Sequence, residues 1–375
     1  MGKLNWGWLG AALVTVGVGC GVGGSGSQAG GLASQSTSDQ NMVGPSSGGD
    51  NDGGTGTPAR LTDAQVLTVL QTANQGEIDQ ANAALTCLSK PKVKDFAQMM
   101  IADHTAALAR VKALIAKYGS ADSPENAALL DVGKEQVKTI TEDSQSGGCD
   151  QVYVKVQIEA HDSVLGLIDE LLEPSAQAPD VQAEVSSEKD AVQMHHDMAE
   201  QLKPEVGITP VTDDGQSACG GKLTEGQVVK WLMVSNQNEV EDGKMVLARA
   251  TTPEAKAFAQ RMIDDHGAAL ARVQALAAKL GITPQESQES QDKKIEGDVD
   301  DQILMRLQPP KFDLLYIDLE VLDHYDDLDT IDEKLLPSSC TPELKAEVVS
   351  ERGTIATHEV IARSDEPIVR AEAGQ

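Results

Sequence analysis

The chain has 375 residues, enough for about two domains, and carries 59 acidic against 30 basic side chains for a net charge of −29. That balance argues against nucleic acid as a partner, because phosphates call for clustered Lys and Arg; it suits a self-repelling soluble chain and the binding of cations. Aromatic residues make up only 3%, so a core must be built from Ala, Val, Leu, Ile and Met, which favours helix packed on helix.

The first element is a targeting segment. Lys3 supplies a thin positive region, and Trp8 to Val18 form an apolar run shorter than the ~20 residues of a membrane-spanning helix. The run ends at Gly17-Val18-Gly19-Cys20, which resembles a bacterial lipoprotein signal with Cys20 as the lipidated residue and membrane anchor. Gly17 stands where such signals usually carry Leu, and ordinary signal-peptide cleavage with Cys20 incidental is the alternative. Either way residues 1–20 predict export, to the periplasm or as an outer-membrane-anchored lipoprotein. Residues 21–59 are Gly, Ser, Thr, Gln, Asn and Asp with almost nothing apolar. Such a stretch buries too little surface to offset chain entropy and predicts a disordered tether.

Periodicities of 3.6 residues follow over about 62–86, 91–118, 150–173 and 179–202, with Thr62 a candidate N-cap. Roughly 30 residues separate the second and third segments, too many for a tight turn. They carry a weaker amphipathic pattern (Ala127, Leu130, Val137, Ile140) after a Ser123-Pro124-Glu125 start. Residues 60–203 therefore predict an all-α unit of four long helices with a long helix 2–helix 3 crossover, the ferritin-like plan. A linker with Pro204 and Pro210 occupies 204–221. Residues 222–364 then repeat the unit: "AQMMIADHTAALARVKAL" at 97 returns as "AQRMIDDHGAALARVQAL" at 259, with 14 of 18 positions identical, and Thr224 answers Thr62. Residues 365–375 read as a tail.

"NQGEI", "FAQMMIADH" and "YVKVQIEAHDSVL", with their second-copy counterparts, resemble a family of exported bacterial proteins of unknown function. The resemblance covers nearly all of 61–202 and 223–363. It rests on an Asn-x-x-Glu, Met-x-x-Asp-His, Tyr-x7-His and late-His pattern. It implies a ferritin-like bundle and the outer-membrane label such proteins often carry, and it implies no activity.

Six of the seven His fall at matched positions, 104/266, 161/324 and 195/358; His196 has no counterpart and is expected at the surface. Matched acids accompany them, Glu77/Glu239 and Glu188/Glu351, as do Asn74/Asn236, Asp103/Asp265 and Tyr153/Tyr316. At a rise of ~1.5 Å per residue these groups meet near mid-bundle on apolar helix faces. Buried ionisable groups cost several kcal/mol unless paired, hydrogen-bonded or metal-bound. The expected ligands are Glu77, His104, His161, Glu188 and His195 in the first copy. In the second they are Glu239, His266, Glu320, His324, Glu351 and His358, with Glu320 standing where the first copy has Gln157. That extra acid makes the second copy the better candidate for tight binding and for two ions. Asp103 and Asp265 are open between orienting a helix, supporting the ligands, and solvation.

The Glu-x-x-His of di-iron bundles is missing: Ile101, Ile158 and Val192 stand three residues before the histidines, so ferritin-type iron oxidation is not implied. The expected cofactor is a transition metal ion, Fe, Zn, Cu or Mn, bound in two bundle cores of an envelope protein. A metal-free helical interaction module and a di-metal oxidoreductase are the alternatives. No catalytic residue is assigned, because no phosphate loop, nucleophile elbow, His-Glu-x-x-His or Cys-x-x-Cys is present.

Besides Cys20 there are four cysteines, and an exported chain permits bonds in any of three pairings. Cys87 ends the first helix and Cys149 begins the third. Cys219 precedes the second copy's first helix and Cys340 its fourth. If the crossover runs the length of the bundle, each pair shares a bundle end; in an up-down-up-down bundle each pair lies ~30 Å or more apart. The expectation is Cys87–Cys149 and Cys219–Cys340.

Overall fold

A computed structural model describes residues 60–142, 148–209 and 219–375. The targeting segment with Cys20 and the tether at 21–59 lie outside the described residues. Among the described residues there is no strand, and no helix is long and apolar enough to cross a membrane. The first copy comprises α1 (Asp63–Leu85), α2 (Pro91–Tyr118), α3 (Pro124–Glu142), α4 (Cys149–Leu167) and α5 (Pro179–Leu202). The second comprises α6 (Glu225–Arg249), α7 (Pro253–Leu280), α8 (Gln288–Arg306), α9 (Lys311–Thr330) and α10 (Pro342–Ala373).

Local chemistry sets the ends. Thr62 and Thr224 close capping boxes with Gln65 and Gln227, satisfying N–H groups that the helix itself leaves open. Pro opens α2, α5, α7 and α10, where its missing N–H costs nothing. The first turn of α4 caps α2 as well: the Asp150 carboxylate accepts from the Ser89 and Lys90 backbone N–H groups, at 3.1 and 2.8 Å to Oδ1. Asp313 of α9 does the same for Thr251 and Thr252, at 2.7 Å each.

These caps place the starts of α2 and α4 side by side, so the two helices run parallel and α3 must carry the chain back along the bundle. Cys87 and Cys149 are bonded at that shared end, with Cα atoms 5.8 Å apart, and Cys219 is bonded to Cys340 at 5.3 Å. The crossover is more ordered than its weak pattern suggests. In each copy it is a regular helix of 19 residues, α3 or α8. The chain end also departs from expectation. α10 continues through 365–373 with Pro367 inside it, Glu366 and Val369 are buried, and Arg370 reaches Asp131 at 2.8 Å and Asp318 at 3.1 Å. Burial and pairing of that last stretch hold as helix what reads as a tail.

The copies are separate in sequence only. α4 packs against α9, α3 lies between α1 and α9, and α8 lies against both α6 and α4. The backbones come close at Gly166 of α4, where a Cβ would stand 2.4 Å from the Asp326 Cα. Arg363 pairs with Glu125 across this seam, and the buried Lys203 with Asp292 at 2.5 Å. His196 is buried here and not at the surface. Its Nε2 is 3.1 Å from Asp162 Oδ1, and Asp292 of α8 completes a group whose polar atoms lie within 4.8 Å of one another. The second copy covers a face that one copy alone would leave in water.

Candidate metal centre

Each copy brings three histidines together at mid-bundle. In the first, His104 (α2), His161 (α4) and His195 (α5) each place one ring nitrogen within 4.8 Å of the other two; His266 (α7), His324 (α9) and His358 (α10) do the same in the second. Ring centroids are 4.9 Å apart for 104/195 and 5.0 Å for 266/358, and 5.7 and 5.6 Å for 161/195 and 324/358. The same constellation is thus built twice. All six rings are buried.

Hydrogen bonds determine which nitrogen of each ring carries a lone pair. Asn74 Nδ2 donates to the Leu70 carbonyl at 2.8 Å and to Glu188 Oε1 at 3.0 Å. A carbonyl only accepts, so Asn74 presents Oδ1 to His104 Nδ1, 2.9 Å away, and that nitrogen is the N–H. His161 Nδ1 donates to the Gln157 carbonyl at 2.7 Å, and His195 Nε2 donates to Asp103 Oδ2 at 3.2 Å. The remaining nitrogens, His104 Nε2, His161 Nε2 and His195 Nδ1, are buried without a hydrogen-bond partner.

The second copy repeats this through Asn236 (3.0 Å), the Glu320 carbonyl (2.8 Å) and Asp265 (3.0 Å). There His266 Nε2 and His358 Nδ1, both lone-pair atoms by the same reasoning, face each other at 3.1 Å. Two ring nitrogens bound to one tetrahedral metal at 2.0–2.1 Å would be ~3.3 Å apart. Burial, reinforced by His195, pushes His104 down to about 3. Burial and the neighbouring imidazoles hold His161, His266 and His324 well below the ordinary value. Burial also lowers His195 and His358, against the pull of Asp103 and Asp265. The rings are therefore neutral, the state in which imidazole is a ligand.

Three of the five predicted acids, Glu77, Glu188 and Glu351, are not grouped with the ring nitrogens. Glu188 and Glu351 stand behind Asn74 and Asn236, one hydrogen bond back from the imidazoles. Glu188 precedes His195 by two turns, ~10 Å along the helix, which explains the displacement. Burial pushes both carboxyls up to about 7. Glu77 accepts from Gln157 Nε2 at 2.9 Å and is likewise pushed up to about 7 by burial. It lines a small cavity with His104, His161 and Glu188 that has room for roughly one water. Glu239 and Glu320 do gather with His324, within 4.8 Å. Asp103 and Asp265 turn out to be the outer partners of His195 and His358, as carboxylates often are for ligating histidines. Tyr153 and Tyr316 are buried core residues.

Four further acids around Glu239 and Glu320 escape a sequence reading: Asp242, Glu296, Asp300 and Asp323. Two of them lie on α8, whose composition is that of a solvated helix. The only signal was their charge at positions where the first copy carries amides and apolar residues.

The model of one protein family, described as a domain of unknown function (DUF4142), matches residues 51–202 and again 212–364. The chain belongs to that family, as two tandem copies. No curated protein and no solved structure matches it.

Proposed function

We propose that this two-copy DUF4142 protein binds one transition-metal ion in each histidine cluster and works in the cell envelope. One observation carries the reading: in each copy three buried imidazoles each bring a ring nitrogen within 4.8 Å of the other two, while the outer N–H of each ring donates to a fixed oxygen. Lone pairs 3.1 Å apart repel unless a cation lies between them. An all-nitrogen set suits Zn, Cu or Fe, and three protein ligands leave a further position for water or another ligand. In the first copy a small cavity lined by Glu77, His104 and His161 adjoins the cluster. Residues 1–20, ending at Cys20, support export and a lipid anchor. The Cys87–Cys149 and Cys219–Cys340 bonds fit an oxidising compartment.

The test is metal content and titration. Chain purified without chelator is analysed for metal, then stripped and titrated with Co2+, whose visible absorption reports nitrogen ligation. Two ions per chain are expected. His161→Ala should remove one, and the further change His324→Ala the other. A metal-free preparation showing no thermal shift with Zn, Cu, Fe or Mn defeats the proposal.

A further inference from the structure

The two copies provide an internal control for a second kind of site. Aligning α1 with α6, α4 with α9, and the two 19-residue crossover helices end to end pairs Glu77, Gln80, Val132, Gln136, Gln157 and Ala160 with Glu239, Asp242, Glu296, Asp300, Glu320 and Asp323. In the first copy this region is closed by amides. Gln157 Nε2 donates to Glu77 and to Gln80 Oε1 at 2.7 Å, Gln80 Nε2 donates to Gln136 Oε1 at 2.7 Å, and Gln136 Nε2 donates to Glu159 at 2.6 Å. Every amide nitrogen there donates to an acceptor, and only one of the six positions is an acid.

In the second copy all six positions are acids, lining one cavity. Lys293, where the first copy has Leu129, supplies a single positive charge and is already paired with Glu296 and, at 2.5 Å, with Asp327. Glu296, Asp300 and Asp323 each bring a carboxylate oxygen within 4.8 Å of the others. Asp300 is only 4% exposed, lines the cavity, and its Oδ1 has no hydrogen-bond partner. Asp323 Oδ1 also lacks one. Replacing a closed amide relay by acids, two of which keep an oxygen without a partner, is costly in a buried site unless a cation compensates them.

We infer that this cavity is a binding site for a hard divalent cation, Ca2+ or Mg2+, held by the carboxylates of Glu296, Asp300 and Asp323. Three carboxylate oxygens with no imidazole among them are the donor set such ions take. Glu239 and Glu320 line the same cavity. The first copy, lacking five of the six acids, has no such site. The inference is independent of the histidine clusters, whose nitrogen ligands suit softer ions.

Equilibrium dialysis of the full-length, metal-stripped chain against Ca2+ or Mg2+ tests it. At least one ion per chain is expected at neutral pH. Glu296→Gln and Asp300→Asn, which restore first-copy chemistry, should each weaken binding at least tenfold, while Co2+ absorption by the histidine clusters stays unchanged. Should either variant fail to fold, Asp323→Ala, the first copy's own residue, serves instead and should weaken binding to the same extent. Uptake of neither ion by the parent, or uptake by the variants equal to the parent's, overturns the inference and leaves the histidine reading untouched.

Discussion

Replacing Asn74 by Ala removes three contacts at once: the acceptor for His104 Nδ1–H at 2.9 Å and the donors to the Leu70 carbonyl and Glu188. The imidazole N–H and the Glu188 carboxyl would then be buried without these partners, and each such loss costs ~1–3 kcal/mol. The metal-free chain should therefore lose about 2–6 kcal/mol, read from urea denaturation in chelator. His104 would also lose the contact that fixes its tautomer. Removing an outer partner of a ligating histidine typically lowers metal affinity ~10–100-fold, or about 1.4–2.7 kcal/mol. The second copy is unaffected, so a Co2+ titration should split into one phase at parental affinity and one weaker phase. Asn74→Asp separates the two roles. It keeps an acceptor for His104 but turns a second carboxyl toward Glu188, so affinity should hold while stability falls. An Asn74→Ala chain that titrates in one phase at parental affinity would refute the lone-pair argument, and equal weakening of both phases would refute the independence of the two centres.

Gly166→Ala would bring a Cβ to 2.4 Å from the Asp326 Cα, where ordinary contact begins at 3.4 Å; overpacking against backbone should cost ~1–3 kcal/mol, and an unchanged urea midpoint would contradict the close crossing. Removing the first disulfide by Cys87→Ser with Cys149→Ser reopens a loop with a sequence separation of 62 and should cost ~4 kcal/mol from chain entropy, measured by thermal and urea unfolding against the parent. Stability of the stripped chain should fall as pH rises above 6.5, the ordinary imidazole value below which the lowered histidines act in the opposite direction. Burial holds the Glu188 and Glu351 carboxyls up at about 7 and Glu239 at about 8, against an ordinary value of 4.5. At these three carboxyls the folded chain therefore binds more protons than the unfolded chain between pH 4.5 and 8. Stability from these groups is present below pH 4.5 and lost as pH passes 7 to 8. Urea midpoints at pH 6.5 and pH 8.5 in chelator, a window above the ordinary imidazole value of 6.5 in which the six lowered histidines no longer titrate, check the sign, and a higher midpoint at pH 8.5 would contradict it.

The helices and the histidines were legible because both depend on position along one helix. Leu67, Leu70 and Asn74 share a face of α1 whatever surrounds it, and a histidine on an apolar stripe is conspicuous, more so when repeated. Partners contributed by another helix were not legible. Glu188 follows the same stripe as His195, yet two turns of rise separate their side chains, and Asn74 from α1 fills the space between. His196 looked solvent-facing because α5 alone leaves it so; burial arrives with Asp162 and Asp292 from other helices. α8 was the hardest case. Glu296, Asp300 and Lys293 drew no reading at all, since periodicity marks apolar faces and is silent on charges that another chain segment covers.

Duplication has an evolutionary consequence written into the α4–α9 crossing. A single-copy chain folded this way would leave much of α4 bare and would be expected to pair with an identical molecule through it. In such a homodimer every substitution at the seam appears on both sides, so an acid that suits one side must be tolerated on the other. Fusing the copies into one polypeptide lifts that constraint. Gly166 answers Asp329 at the equivalent position, so this close contact is already one-sided. One half of the protein has been free to keep its amides while the other exchanged them for acids.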